Sequence, residues 1–268
     1  MKYLTNEITI LKDINHPNIV KFVEIHETSK KIYIVTELCN GGNLLNNLEN
    51  YMEKNKIAFS EEIVRYIMRQ IIEGIKYLHN KKIVHTNISL DNIMINYEDE
   101  NDRINNNIMK GKIKIIDFGF SKYLKKGELT NSVLGYPINM DPIILYKLNS
   151  ISEYKESRYD EKVDIWSLGT ICYELLIGKP PFEAVSMNEL LEKIKKGYYY
   201  IPTTLSKEAI SFLNCMLQLD PKKRKSVDIL YNHKFLRINP NQFIKINENI
   251  NLSEIRLNIK ENNDLFNE

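Results

Sequence analysis

Cysteine, glycine and long apolar runs are scarce in this sequence. Its 268 residues include three cysteines, ten glycines and one tryptophan. The cysteines, Cys39, Cys172 and Cys215, lie far apart and lack the spacings of zinc sites, so we expect reduced thiols inside an intracellular, cytoplasmic protein. No apolar run approaches the roughly 20 residues that cross a bilayer. Charged residues interrupt the N-terminal segment too often for a signal peptide.

An excess of charge of either sign is also lacking. The sequence has 37 Lys and Arg against 35 Asp and Glu, a formal net charge of +2. This balance gives no global reason to expect a nucleic-acid partner. The hydrophobic content of 43% is ordinary for a globular protein. The length suits one large domain or two lobes that share a core.

The first 40 residues predict one helix and two strands. Apolar residues recur at helical spacing over residues 3–14, and the triplet His-Pro-Asn at 16–18 ends that helix. Residues 19–26 and 31–37 alternate as two antiparallel strands joined by a turn at 28–30. Two strands alone leave an exposed edge. Either another segment covers that edge, or this sequence is a fragment of a longer product.

The remainder is mainly helical. A glycine pair, Gly41-Gly42, turns the chain into a helix at residues 43–45, and Ser60 caps a longer helix that ends near Asn80. Residues 205–219 form a further amphipathic helix. Residues 96–111 indicate a polar loop between two strands. From about residue 237 the tail is rich in Asn and charge, so we expect it to be poorly ordered or outside the fold.

Four motifs occur in a fixed order along the chain. They are His-Pro-Asn-Ile-Val at residues 16–20, His-Thr-Asn-Ile-Ser-Leu-Asp-Asn at 85–92, Asp-Phe-Gly at 117–119 and Asp-Ile-Trp-Ser-Leu-Gly at 164–169. In this order they resemble the eukaryotic serine/threonine protein kinase family over residues 3–236. Any one of them alone is weak, but a chance match of all four in sequence is negligible.

The resemblance implies an α+β, bilobal kinase-like fold. Residues 1–38 would form a truncated N-lobe with one helix (αC in kinases) and two strands, the fourth and fifth of the family. Residues 39–236 would form a mainly helical C-lobe, and 237–268 a polar C-terminal tail.

The resemblance also assigns positions for ATP and magnesium. Asn92 and Asp117 match the residues that hold Mg²⁺ in kinases, and both offer hard oxygen ligands. Thr36 matches the gatekeeper, Glu37 to Cys39 the hinge that meets adenine, and Met94 a further position of the nucleotide pocket.

The groups that act on the acceptor hydroxyl are replaced. Asn87 stands where kinases have the catalytic Asp, Ser89 where they have a Lys, and Tyr136 where a Thr braces both. An amide can hold a hydroxyl group but cannot accept its proton at neutral pH. Loss of a general base costs roughly 10²–10⁴ in rate. Phosphoryl transfer at these positions should therefore be hard to detect.

The phosphate clamp of kinases is missing too. The sequence has no Gly-rich loop and no strand lysine to pair with Glu7, which is then either a solvated helix residue or a glutamate without its partner. ATP and Mg²⁺ should bind weakly at best. Thr86 replaces the arginine that would bind a phosphate on Thr130 or Ser132.

Structural positions of the family can be assigned as well. Leu11, Phe22, His85 and Phe118 match the residues that stack through kinases, although ordinary core packing also explains them. Asp164 should anchor the backbone around His85. Ile143 replaces the glutamate that pairs with Arg224, so this arginine should lack a buried partner unless another acid moves in.

Three functions remain open from the sequence. The first is a pseudokinase, a scaffold or binding module for a protein partner, whose oligomeric state the sequence does not define. The second is an active, ATP-dependent serine/threonine kinase. The third is a truncated product with no function of its own.

Overall fold

A computed structural model describes residues 2–124, 137–149, 159–237 and 255–258, with the backbone alone for residues 2, 3 and 255–258. The α-helices in this part of the chain are α1 (Lys2–Asp13), α2 (Leu44–Asn55), α3 (Glu61–Asn80), α4 (Glu100–Ile104), α5 (Pro142–Leu148), α6 (Lys162–Ile177), α7 (Met187–Lys196), α8 (Lys207–Met216), α9 (Val227–Tyr231) and α10 (Lys234–Arg237). The strands are β1 (Phe22–Glu27), β2 (Ile32–Thr36), β3 (Ile83–Val84), β4 (Ile93–Asn96), β5 (Lys112–Ile115), β6 (Lys122–Tyr123), β7 (Tyr198–Ile201) and β8 (Ile255–Asn258). None of the described helices is long and apolar enough to span a bilayer.

The smaller lobe consists of α1 and the β1–β2 hairpin, as predicted. The strands pair antiparallel, and Thr28 N donates to Lys31 O (2.8 Å) across the turn. The first strand starts at Phe22, three residues later than expected. The reason is that the preceding residues pair with β5 instead: Val20 N donates to Ile115 O (3.0 Å) and Ile115 N to Asn18 O (2.9 Å). These bonds fasten the hairpin to the larger lobe.

Two long helices form the centre of the larger lobe. Ser60 Oγ accepts a hydrogen bond from Ile63 N at the start of α3, where acidic residues also favour the helix dipole. Helix α3 buries an apolar stripe, whereas α6 buries 13 of its 16 residues. A helix that is apolar on nearly all sides belongs in the interior. Helix α6 is therefore the support on which the neighbouring loops rest.

The short hairpins place the two principal motifs side by side. Strand β4 pairs antiparallel with β5, so that Ile93 lies opposite Ile115. Strand β3 pairs with β6, so that Val84 lies opposite Lys122. Residues 85–92 run from β3 to β4, and Asp117 follows β5. Strand pairing alone therefore brings residues 85–92 next to Asp-Phe-Gly.

The predicted polar loop over residues 96–111 does lie between two strands, since it joins β4 to β5, but the prediction missed a short helix within it. Asp99 Oδ1 accepts hydrogen bonds from Asn101 N (2.7 Å) and Asp102 N (3.1 Å), and this cap starts α4. Ile108 then turns into the core and is 5% exposed. The acidic composition hid a helix that its own N-cap residue stabilises.

The tail also contains an element that the sequence analysis did not predict. The backbone of Ile255–Asn258 pairs antiparallel with β7, with Tyr198 opposite Asn258. This segment therefore joins the fold of the larger lobe. The other residues of the tail lie outside the described part of the chain.

Of the two outcomes left open for Arg224, the second is observed, because another acid does move in. Asp141 and the Arg224 guanidinium form an ion pair in which both side chains are fully buried. Arg224 Nε also donates to Gln218 O (2.7 Å), and Nη1 donates to Lys162 O (2.9 Å). Asp141 lies two residues before Ile143 and caps α5 by accepting from Ile143 N (2.7 Å). Asp141, at the N-cap of α5, thus supplies the carboxylate that pairs with Arg224, which the apolar side chain of Ile143 cannot do.

We predict that Asp141→Ala destabilises the protein by about 3–5 kcal/mol, because it leaves Arg224 buried without a counter-charge. Chemical denaturation followed by circular dichroism measures the loss. The control is Glu189→Ala, which breaks the exposed pair between Glu189 and Lys193 (2.7 Å). Its cost should stay within about 0.5 kcal/mol. Equal costs for the two variants would contradict a structural role for the buried pair.

Candidate active site

A single buried carboxylate holds the loop that follows β3. Asp164, on α6, is fully buried. Its Oδ2 accepts from His85 N (2.9 Å) and lies 2.8 Å from His79 Nε2, while Oδ1 accepts from Thr86 N (2.8 Å). The predicted anchoring role of Asp164 therefore matches its contacts. The buried N–H groups of His85 and Thr86 are thus satisfied by a side chain of the buried helix α6.

Thr86 is held in a backbone conformation that threonine rarely adopts. Its φ of 64° is left-handed, which is unusual for a β-branched residue. Such a residue costs on the order of 1–3 kcal/mol and persists only where its surroundings enforce it. Besides the bond to Asp164, Thr86 Oγ1 donates to Phe120 O (2.9 Å). Thr86, which stands where kinases have an arginine, thus uses its backbone N–H and its hydroxyl to hold the loop. Its neutral side chain offers no cation to a phosphate.

An aromatic contact links this loop to Phe118. The rings of His85 and Phe118 meet edge to face at 5.0 Å between centroids, and His85 Nε2 lies 3.0 Å from Ile116 O. Burial lowers the pKa of His85, so the ring is neutral. Leu11 is buried and Phe22 is partly buried against the same core. These are the four positions that the sequence analysis assigned to the stack.

Asn87, Asn92 and Asp117 meet at the centre of the site. Asn87 Nδ2 donates to Asp117 Oδ2 (2.7 Å), and Asn92 Nδ2 donates to Asn87 O (3.0 Å). Asp117 has a left-handed φ of 63°, and its Oδ1 accepts from Gly119 N (3.2 Å). The three residues thus form one hydrogen-bonded cluster, which pairing of β4 with β5 assembles.

The amide of Asn87 changes the electrostatics of this cluster. A second carboxylate at hydrogen-bond distance from Asp117 would repel it unless a cation or proton lay between them. The neutral amide instead donates to Asp117 and satisfies one of its oxygens. This hydrogen bond therefore holds the side chains of Asn87 and Asp117 together directly.

The oxygen atoms of the cluster still suit a magnesium ion. Mg²⁺ prefers oxygen ligands and often takes only one or two carboxylates together with water and phosphate oxygens. Asn92 donates through its nitrogen, which leaves Oδ1 for a ligand, and Asp117 keeps unused lone pairs on both oxygens. Among the described residues, no group of three or more His, Cys, Asp and Glu side chains converges as a metal site. The donor set therefore fits a magnesium ion that a phosphate helps to hold.

Ser89 does not replace the missing lysine. It is 3% exposed, and its carbonyl accepts from Asn92 N (3.1 Å) at the turn of residues 90–92. Its short, neutral side chain brings no positive charge to the site. Tyr136, Thr130 and Ser132, which the sequence analysis also singled out, lie outside the described residues.

The four predicted nucleotide positions lie along the junction of the lobes. Thr36 ends β2, and Met94 lies on β4 opposite Lys114. Glu37 Oε1 accepts from Lys114 Nζ (2.6 Å) and from Lys21 N (2.8 Å), so its side chain is a structural link. Burial, and then the charge of Glu37, raise the pKa of the Cys39 thiol. Within the described chain, the backbone of Cys39 forms no hydrogen bond, which leaves it for a planar ligand.

Glu7 faces the Asp-Phe-Gly turn rather than open solvent. Its Oε2 would lie 3.6 Å from a Cβ atom at Gly119. Burial, and then the nearby charge of Asp117, raise the pKa of Glu7. No lysine or arginine of the described residues lies within ion-pair distance of it. Glu7 is thus a glutamate without its partner, the second of the two alternatives above.

The sequence analysis missed an acidic groove beside this site. The groove has a volume of about 600 Å³, and its polar lining comprises Asp91, Asn139, Glu174, Glu183, Glu189 and Lys193. Burial, and then the charges of Asp91 and Glu49, raise the pKa of Glu174 to about 7. Glu174, a second carboxylate within the largely apolar helix α6, is the signal that could have revealed the groove.

Comparison with known proteins agrees with this geometry. The model of the family described as "Protein kinase domain" matches residues 1–236. Serine/threonine-protein kinase polo of Drosophila melanogaster is 37% identical over 232 residues, which cover 86% of this chain and 36% of that protein. Calcium-dependent protein kinase 5 of Plasmodium berghei is 34% identical over 252 residues, which cover 92% of this chain and 41% of that protein. Serine/threonine-protein kinase atg1 of Dictyostelium discoideum is 32% identical over 245 residues (90% and 33%).

The chain spans about a third to two fifths of the length of these curated relatives. The family match, in contrast, covers most of the chain and includes every residue of the cluster around Asp117. The chain therefore belongs to the protein kinase domain family.

Proposed function

We propose that this chain is a pseudokinase, a kinase-fold module that binds a protein partner and transfers phosphate slowly or not at all. The hydrogen bond from Asn87 to Asp117 supports the proposal most directly. It places a donor, not a proton acceptor, at the position from which kinases handle the acceptor hydroxyl. The same bond gives Asp117 Oδ2 a neutral donor.

The cost to catalysis follows from the missing groups. Loss of a general base lowers rates by roughly 10²–10⁴. Loss of a preorganised cation near developing charge lowers them by about 10²–10³, by analogy with oxyanion-hole donors. The two losses are not additive, because Asn87 and Ser89 act on one transition state. A kinase turnover of about 1–100 per second would still become hard to detect.

Residual nucleotide binding would use the junction between the lobes. Asn92 Oδ1 and Asp117 would hold Mg²⁺, and the backbone near Cys39 would meet the adenine ring. When bound, the ion would neutralise charge on the phosphates. Among the described residues, no lysine or arginine lies within ion-pair distance of Glu7, so these residues offer the phosphates no cation beside it. Binding would therefore rest on the adenine contacts and the metal alone.

We propose the acidic groove as a surface for the protein partner. Besides Glu174, the lining of the groove contains three acidic residues and one basic residue: Asp91, Glu183, Glu189 and Lys193. This imbalance favours a cationic segment of a protein, and the near-neutral charge of the whole chain gives no reason to expect nucleic acid.

An active serine/threonine kinase is the second candidate. The retained oxygen ligands of Asn92 and Asp117 favour it, and so do the names of the relatives. It would need a substrate hydroxyl to react without a carboxylate at position 87. An assay of phosphate transfer distinguishes the two candidates.

We predict that the purified chain does not transfer phosphate to a generic basic protein in a magnesium-dependent manner. The double variant Asn87→Asp/Ser89→Lys, which restores the base and the cation, should gain activity if the weak nucleotide site still fills at millimolar ATP. Incorporation of radiolabelled phosphate is the measurement. Adding Asp117→Ala to the double variant controls for contaminating kinases, since it should abolish only genuine activity. Magnesium-dependent turnover by the unmodified chain that Asp117→Ala removes would end the pseudokinase proposal.

We also predict a dissociation constant for Mg-ATP no better than about 1 mM, because the phosphate donors are lacking. Thermal unfolding with increasing Mg-ATP measures it. A saturable rise in melting temperature at micromolar Mg-ATP, lost in Asp117→Ala, would be evidence against this prediction.

The raised pKa of Glu174 predicts that stability falls as pH rises. The folded protein keeps the Glu174 proton up to about pH 7, whereas the unfolded chain loses it near 4.5. The folded state thus binds more protons in this window, so the free energy of unfolding decreases from pH 4.5 to 7. Glu174→Gln should remove this decrease and gain at most about 3 kcal/mol over the wild type at pH 8, with no gain at pH 4.

Urea denaturation at the two pH values measures the difference. The matched control is Glu192→Gln, the same change at an exposed position of α7 outside the lining of the groove. It should leave the pH dependence of the wild type intact. An equal gain from Glu174→Gln at both pH values would contradict a protonated Glu174.

A further inference from the structure

The acidic groove holds carboxyl groups that no described cation neutralises. Lys193 is the one basic residue of its described lining, and it is already engaged. Its Nζ lies 2.7 Å from Glu189 Oε1 and donates to Glu183 O (2.5 Å). Among the described residues, no lysine or arginine forms an ion pair with Glu174 or Asp91. A cation that a partner brings would therefore meet no competing cation of these residues at the two carboxyl groups.

Glu174 is surrounded by acidic groups from three different parts of the larger lobe. They are Asp91 from the loop between β3 and β4, Glu49 from helix α2, and Glu183 from the segment after α6. Burial, and then these like charges, raise the pKa of Glu174 to about 7, although a hydrogen bond with Asn139 acts in the opposite direction. At neutral pH the carboxyl group is thus protonated in roughly half of the molecules.

A cation beside Glu174 would reverse this balance. An opposite charge within about 4–6 Å favours the ionised form of a carboxyl group. A cationic side chain that enters the groove would therefore lower the pKa of Glu174, and the proton would pass to the solvent. We propose that a cationic side chain of the protein partner replaces the proton of Glu174, so that the groove binds this partner more tightly as the pH rises.

The remainder of the lining suits an arginine of the partner. Six residues of the lining are apolar: Leu45, Leu90, Ile138, Pro180, Ala184 and Val185. The aliphatic part of an arginine packs along such a surface while its guanidinium reaches a carboxylate. The planar guanidinium can form two parallel hydrogen bonds with one carboxylate, and it stays charged throughout the neutral range of pH. A change of affinity with pH then reflects groups of this chain and not the arginine.

The inference rests on the docking of a cationic segment in the groove that is proposed above, and it adds how that docking is regulated. It does not depend on the loss of catalysis, because Asn87 and Ser89 are not part of the groove lining. The pseudokinase proposal and the proton-coupled docking can therefore fail separately.

The test is the affinity of the full chain for a fluorescent synthetic peptide with one arginine among alanines and leucines. Fluorescence anisotropy at pH 6 and pH 8 measures the dissociation constant. We expect it to be about tenfold lower at pH 8, because Glu174 of the free chain must first lose its proton at pH 6. Titration calorimetry at pH 6, in two buffers of different ionisation enthalpy, should show the release of about one proton for each bound peptide.

Two variants assign the effect to Glu174. Glu174→Gln should weaken binding about tenfold or more at pH 8 and should remove the difference between the two pH values. Glu192→Gln makes the same change of charge on α7, outside the groove lining, and should keep the affinity of the wild type at both pH values. Histidines titrate in the same range, but they are identical in the two variants.

The outcomes separate the regulation from the docking itself. Equal affinity at pH 6 and pH 8 would overturn the coupling to the proton, while the groove would remain a docking surface. Equal binding of a matched peptide with neutral citrulline in place of arginine would also overturn it, since an apolar segment would then be the occupant. Absence of binding at either pH would overturn both the docking and its regulation.

Discussion

The buried carboxylate of Asp164 is the interaction on which the site depends. It binds the backbone of His85 and Thr86 and the ring of His79 from the most buried helix of the molecule. Thr86 retains its left-handed backbone because these bonds and the bond to Phe120 O enforce it. Asp164 thus fixes the start of the loop, while Asn92 at its end is held by the carbonyl groups of Asn87 and Ser89.

The changed chemistry is concentrated at one contact. Two carboxylates at the distance between Asn87 and Asp117 would require a cation, whereas an amide and a carboxylate attract each other without one. The substitution therefore removes the proton acceptor and stabilises the cluster in one step. Asn92 and Asp117 keep their oxygen atoms, which explains why the site still fits a magnesium ion although it lacks the groups that act on a hydroxyl.

In the larger lobe, by contrast, a missing ion-pair partner of Arg224 is replaced by another residue. Ile143 cannot pair with Arg224, yet Asp141 reaches the same guanidinium from the cap of α5. A buried arginine without a counter-charge is costly, so the ion pair stabilises the larger lobe. No comparable replacement appears for the lysine at position 89, where Ser89 is buried and neutral. The contacts that hold the fold are therefore present, whereas positions 87 and 89 carry neither a carboxylate nor a cation.

Sequence alone determined the order of the elements and the identity of the residues at the site. Apolar spacing predicted α1, α3 and the β1–β2 hairpin, because periodicity is a local property of the chain. Motif order assigned Asn87, Asn92 and Asp117, and a side chain's ability to accept a proton is fixed by its type. Helix α4 is an element that the apolar spacing did not predict, because residues 96–111 are mainly polar and the helix starts from the cap formed by Asp99.

Only the tertiary structure decided which side chains meet. The ion pair of Asp141 with Arg224 spans 83 residues, and the bond of Asn87 to Asp117 spans 30. The pKa of Glu174 depends on burial and on carboxylates from other elements. Such contacts arise from the packing of distant segments, and no local pattern in the chain encodes them.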